Sequence, residues 1–127
     1  MKKYIYINYF RDSNPDRQQE YLHCIKHNLG LDFVDAVIVF LEKSEHRTDL
    51  PSSSKIQFID LPRRMEFADV FEHAQTLEPN SVFVILNLDI FLENSNEWRY
   101  IDRNFFAVGY SDKALVLTRH NIVEQGS

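Results

Sequence analysis

The chain has one cysteine, Cys24, among its 127 residues. It therefore holds no internal disulfide and reads as a protein of a reducing compartment, with a cytoplasmic location expected. Glycine is almost as scarce: Gly30, Gly109 and Gly126 are the only three, and no two stand close together. That excludes the P-loop, the kinase loop and the dinucleotide fingerprint, which need clustered glycines where backbone approaches phosphate. No apolar run approaches the ~20 residues of a membrane-spanning helix, and the amino-terminal MKKYIYINYF enters a strand-like run too short for a signal peptide. Basic clusters are missing too. Net charge is −5 and no basic run is longer than Arg63-Arg64, so the clustered cationic surface that a nucleic-acid partner requires is not there.

What is present suits one folded domain, long enough for a real core but short for a two-substrate enzyme. Apolar residues make up 44% of the chain and charged residues 26%, ordinary values for a globular protein and enough for one core spanning residues 1–127. YIYINY (Tyr4 to Tyr9) is aromatic and β-branched and predicts a first strand. Asn14, Pro15 and Asp16 then form a helix start: a cap, a proline at the first helical position and an acid in the first turn. Leu22, Ile25 and Leu29 repeat at helical spacing, and Gly30 is expected to supply a left-handed stop.

DAVIVFLE (Asp35 to Glu42) predicts a second strand, and the polar stretch from Lys43 to Lys55 reads as an exposed loop. That loop has about the dozen residues a parallel crossover needs, without an obvious helix, so the direction of the next strand stays open. KIQFIDL (Lys55 to Leu61) alternates and predicts a strand near an edge. Pro62 is expected to open a second helix, with Phe67, Val70, Phe71, Ala74 and Leu77 as its buried stripe and Pro79 as its end. After the run that follows it come a polar turn, an aromatic stretch from Trp98 to Tyr110 and a last strand, KALVLT (Lys113 to Thr118). The order predicts a three-layer α/β/α sandwich with a mostly parallel sheet.

The chain is organised around VFVILNLDIFLE, from Val82 to Glu93. Its continuous apolar half suits a strand covered on both faces, and Asn87 and Asp89 interrupt it where that strand should end. In α/β sheets ligands collect at the carboxyl ends of strands. On an extended segment, Asn87 and Asp89 would share one side and offer the oxygen ligands that Mg²⁺ or Mn²⁺ accepts, the ion completing its shell with water and phosphate. The plain alternative is a strand end capped by an Asx turn.

ILNLDIFLE (Ile85 to Glu93) resembles the strand carrying the D-x-D-type motif of glycosyltransferases of the GT-A fold. It is most similar to a bacterial group with an N-x-D-I version. The NYFRD turn (Asn8 to Asp12), Arg17 and Glu20 on the first helix, and the late ALVLTRH (Ala114 to His120) agree in order. The resemblance implies a GT-A/Rossmann-like nucleotide-binding half and a nucleotide-diphosphate sugar donor, with an acceptor left unspecified. It implies Asp89 as ligand to Mn²⁺ or Mg²⁺, Asn87 beside it, and Tyr9, Phe10 and Arg11 at the base and ribose. Arg17 would neutralise phosphate, and Arg119 would belong to the donor site; no catalytic residue is implied.

The chain departs from the family in three respects. Asn87 replaces the first acid of the motif, and His120 stands where an aromatic is commoner. Fewer than forty residues follow Asp89, so the chain is expected to be the donor-binding portion of a longer enzyme or an abbreviated relative. A homodimer covering an exposed apolar face is a further expectation.

Two other function classes fit parts of the pattern. A catalytically silent binding or assembly module would keep the scaffold without the first acid. A receiver-like signalling domain would use Asp89 as a phospho-acceptor, although it wants an acid pair after the first strand and an earlier aspartate. His23 and His27, four apart on the first helix, read as a solvated face rather than a metal pair. Glu42 reads as an exposed strand end. Arg63 and Arg64 would sit against the dipole at a helix start, which hints at an anionic ligand or an acid partner.

Overall fold

The computed structural model describes residues 2–79, 81–94 and 99, together with the backbone of 114–118. Five strands form one sheet: β1 (Lys2–Tyr9), β2 (Ala36–Leu41), β3 (Ile56–Asp60), β4 (Ser81–Leu86) and β5 (Ala114–Thr118). Their order is β3-β2-β1-β4-β5, with β1 to β4 mutually parallel and β5 antiparallel to β4. This is the three-layer, mostly parallel, Rossmann-like arrangement that the sequence predicts. The 3-2-1-4 order differs from the 2-1-3-4-5 order of receiver domains, which removes that alternative.

Helix α1 (Pro15–Leu29) joins β1 to β2, and α2 (Phe67–Ala74) joins β3 to β4. The first connection steps one way along the sheet and the last steps back past β1. Right-handed crossovers in opposite directions must lie on opposite faces. The core divides accordingly. Ile5, Ile7, Val37, Val39, Val82 and Val84 pack with Tyr21 and Ile25 of α1. Tyr4, Tyr6, Ile38, Phe40, Phe83 and Ile85 pack with Val70 and Ala74 of α2. Every residue of β2 and β4 is buried, as the unbroken apolar runs require; each such aliphatic side chain contributes about 1.5–3 kcal/mol by leaving water.

Local chemistry sets the ends. Asn14 caps α1 by accepting from the Asp16 and Arg17 N–H groups, with Pro15 behind it. Gly30 is not left-handed: its φ of −80° and ψ of −8° continue the right-handed coil, and its N–H reaches the carbonyls of Lys26 and His27. Residues Ser44–Asp49, expected as loop, form a 3₁₀ helix, and this short coil is what carries the chain from β2 to a parallel β3 at the sheet edge.

Helix α2 starts five residues later than Pro62. Glu66 and Asp69 form a reciprocal capping box, with the Glu66 N–H donating to Asp69 at 2.8 Å, and this fixes the start at Phe67. The helix ends at Ala74 rather than at Pro79, and Leu77 follows in a turn. Of the predicted stripe, Val70 and Ala74 are buried, whereas Phe67 is exposed. The aromatic stretch from Trp98 to Tyr110 lies outside the described residues, apart from Arg99. Among the described residues no helix is long and apolar enough to cross a membrane.

Candidate functional site

The carboxyl ends of β1 and β4 lie side by side where the sheet changes winding direction. The chain leaves β1 for α1 on one face and β3 for α2 on the other, the segment after β4 packs against α1, and a crevice opens at these strand ends. It is a cleft of about 580 Å³. Asn8, Ile85 and Leu86 form its floor, Phe10 and Tyr21 its α1 side, and residues Arg64 to Phe67 its α2 side. Asn87, Leu88 and Asp89 complete it.

Strand β4 ends at Leu86, and the next four residues make a turn closed by the Ile90 N–H donating to the Asn87 carbonyl at 3.1 Å. The expectation that Asn87 and Asp89 share one side of an extended segment therefore fails, because the period-two rule stops with the strand. Both still line the cleft, since the turn buries Leu88 between them and leaves the two polar side chains exposed. Among the described residues neither the Asp89 carboxylate nor the Asn87 carboxamide has a hydrogen-bond partner. Asp89 is near enough to act on α1. Burial chiefly raises the Tyr21 hydroxyl and Cys24 thiol pKa values, and the Asp89 charge adds to both.

Two anchors hold this geometry. Asn28 of α1, only 3% exposed, accepts from the Leu92 N–H at 2.9 Å and donates to the Ile90 carbonyl at 3.2 Å. His27 adds Nε2 at 2.8 Å from the Leu92 carbonyl, so that nitrogen carries the proton. The His23 and His27 rings lie 6.5 and 4.5 Å from that of Phe91, which gives this pair a packing role. On the other side, the Asn8 carboxamide donates to Glu42 at 2.8 Å and accepts from the Met65 N–H at 2.9 Å. It fastens the β3–α2 connection to the sheet.

Of the residues expected at a donor site, Phe10, Asn87 and Asp89 come together. Tyr9 and Arg11 do not line the cleft. Tyr9 is fully buried, and its hydroxyl donates to Asp49 at 2.8 Å while accepting from Gln18 at 2.6 Å. Burial and the Asp49 charge push its pKa up to about 12. Arg11 grips Asp49 bidentately at 2.9 and 2.7 Å and holds that carboxyl below its ordinary value. Arg17 is exposed on the first turn of α1, away from the lining. Arg119 lies outside the described residues.

On the α2-side wall, the sequence reads Arg63 and Arg64 as a hint of an anionic ligand or an acid partner without joining them to the Asp89 site. Arg63 has an acid partner, Asp69, at 2.8 and 2.7 Å. The Arg64 guanidinium has none among the described residues and lines the cleft. The doublet's placement before a helix was the available signal, and only its second member is left for a ligand. Arg64 and Asp89 thus set opposite charges in one hollow, together with Glu66. Among the described residues no three His, Cys, Asp or Glu side chains converge as a metal site.

No protein-family model matches the chain, and no curated protein matches it. Among the solved structures similar to it is 4-diphosphocytidyl-2C-methyl-D-erythritol synthase from Anaerococcus prevotii, at 12% identity and a TM-score of 0.48, covering 68% of this chain. The chain spans 43% of that protein's length. A likeness at this level assigns no chemistry to the cleft.

Proposed function

We propose that the cleft binds the nucleoside diphosphate of a nucleotide-sugar donor, and that the chain is the donor-binding part of a metal-dependent glycosyltransferase. The observation that carries this reading is a carboxylate, Asp89, and a guanidinium, Arg64, both unpaired among the described residues and lining one cleft at the winding switch of the sheet. A diphosphate is the group that uses both charges, Arg64 directly and Asp89 through a divalent cation.

The donor set fits such an ion. Asp89 supplies a carboxylate and Asn87 an amide oxygen from the same exposed turn, and Mg²⁺ commonly rests on one or two carboxylates with phosphate and water around it. When bound, the ion would neutralise charge developing on the leaving nucleotide. The chain's own residues do the remaining work. Arg64 attracts and orients the phosphates, Asn8 keeps that wall fixed, and Asn28 and His27 hold the turn on which Asp89 stands.

Titration calorimetry of the chain with UDP, GDP and CDP, with and without Mn²⁺, tests the reading. Binding should depend on Mn²⁺ and should disappear in Asp89→Ala. Equal affinity of the two proteins would overturn it. A second reading, a binding module without transfer, is favoured by Asn87 at the position of the first acid. Turnover of UDP-, GDP- and CMP-sugars separates the two, because only the transferase consumes its donor.

A further inference from the structure

The described residues expose two large apolar side chains, Phe67 and Phe91, each at 47%. Phe91 is faced by the rings of His23 and His27. Phe67 belongs to neither core cluster, touches the ring of Phe71 at 6.4 Å, and lines the cleft. It is the first residue of α2, where the capping box makes the helix begin. Helix formation at that position does not call for an aromatic, and burial does not explain one.

Across the cleft stands a second ring. Phe10 packs with the α1-side core and meets Tyr21 edge-on at 5.7 Å. The cleft thus has an aromatic wall from each helical layer, while Arg64 lies three residues before Phe67 on the same wall. A solvent-exposed phenyl face in a hollow is stabilised by a flat, polarisable ring laid on it, and every nucleobase offers such a face whatever its edge. A bare diphosphate or a simple sugar phosphate would leave that face wet.

We propose that Phe67 is the stacking platform for the nucleobase, so that the cleft selects nucleoside diphosphates over base-free phosphates. This rests on the nucleotide-site reading above and extends it to the part of the ligand that carries the selectivity. Because every base stacks, Phe67 favours nucleosides as a class and leaves the choice among bases to other contacts.

The test is calorimetry of the full chain and of Phe67→Ala, Phe67→Leu and Phe67→Tyr, with UDP, GDP, inorganic pyrophosphate and ribose 5-phosphate in Mn²⁺. Circular dichroism confirms that each variant is folded. Base–aromatic stacking implies that Phe67→Ala and Phe67→Leu weaken UDP and GDP by about tenfold or more, that Phe67→Tyr restores them, and that pyrophosphate and ribose 5-phosphate are unaffected. Unchanged UDP and GDP affinity in Phe67→Ala overturns the stacking role and leaves the nucleotide site standing. A loss shared equally with pyrophosphate or ribose 5-phosphate overturns it as well, by showing general damage or contact to the sugar. Failure of the unaltered chain to bind any nucleoside diphosphate overturns the nucleotide-site reading itself, and the stacking role with it.

Discussion

Replacing Asn28 by alanine removes the side chain that joins α1 to the segment behind the Asp89 turn. Two backbone groups lose their partners: the Leu92 N–H, bonded at 2.9 Å in a buried setting, and the Ile90 carbonyl, bonded at 3.2 Å and part-buried. A buried polar group left unpaired costs about 1–3 kcal/mol, the part-buried one toward the lower end, so the sum is about 2–4 kcal/mol. With a urea m-value of about 2 kcal/mol/M, the midpoint should fall by about 1–2 M. Asn28→Asp keeps the acceptor for Leu92 but turns a carboxylate oxygen toward the Ile90 carbonyl. Burial raises the folded-state pKa of that introduced carboxyl. Its protonated form can donate as Asn28 does, so this variant should be nearest the parent in acid and lose ground as pH rises through that value. Urea melts across pH give the stabilities, and amide hydrogen exchange at Leu92 reports the bond itself. An unchanged midpoint in Asn28→Ala, with Leu92 still fully protected, would refute the anchoring role.

Asp69 is held at about 2, below the ordinary 3.8, by the Arg63 guanidinium and by the Glu66 N–H. A depressed carboxyl stabilises the fold above its unfolded value and loses that effect as pH falls toward 2, so Asp69→Asn should flatten acid unfolding between pH 4 and 2, read by circular dichroism. The hydroxyls of Tyr4, Tyr6 and Tyr9 are all raised above 10, chiefly by burial, Tyr9 to about 12. Raised tyrosines make stability fall as pH climbs from 10 through their folded values, and ultraviolet titration should show these three, together with Tyr21, ionising late or only on unfolding. Tyr9→Phe removes a hydroxyl shared with Asp49 and Gln18 and should cost about 1 kcal/mol in urea melts. It should leave nucleotide affinity unchanged, because that hydroxyl faces away from the cleft.

The sheet was legible wherever burial on both faces forces an unbroken apolar run, as in Ala36–Leu41 and Ser81–Leu86. The alternation in Ile56–Asp60 likewise marked an edge strand. Its direction was not legible, because the crossover carries a 3₁₀ helix whose polar residues bury no stripe. The start of α2 was misplaced because Pro62 is a permissible first residue, and the deciding contact is the pairing of two acids with backbone N–H groups. At the cleft, the position of Asp89 was legible because it follows a buried strand, at the end where polar residues collect in such sheets. Tyr9 and Arg11 entered through the family resemblance alone, yet both are consumed by Asp49, forty and thirty-eight residues away in the chain. Asn28 left no mark in the sequence, since a polar residue on an amphipathic helix reads as solvated until its partners some sixty residues downstream are seen.

The carboxamide of Asn8 has its donor in use on Glu42 and its acceptor in use on the Met65 backbone. The crevice is therefore assembled when the chain folds, and a guest meets walls already at their final spacing. Little ordering entropy would remain for the moment of association, which favours quick, rigid docking over slow closure. It also means that one amide, near the end of the middle strand, fixes how the α2-side wall stands over the sheet.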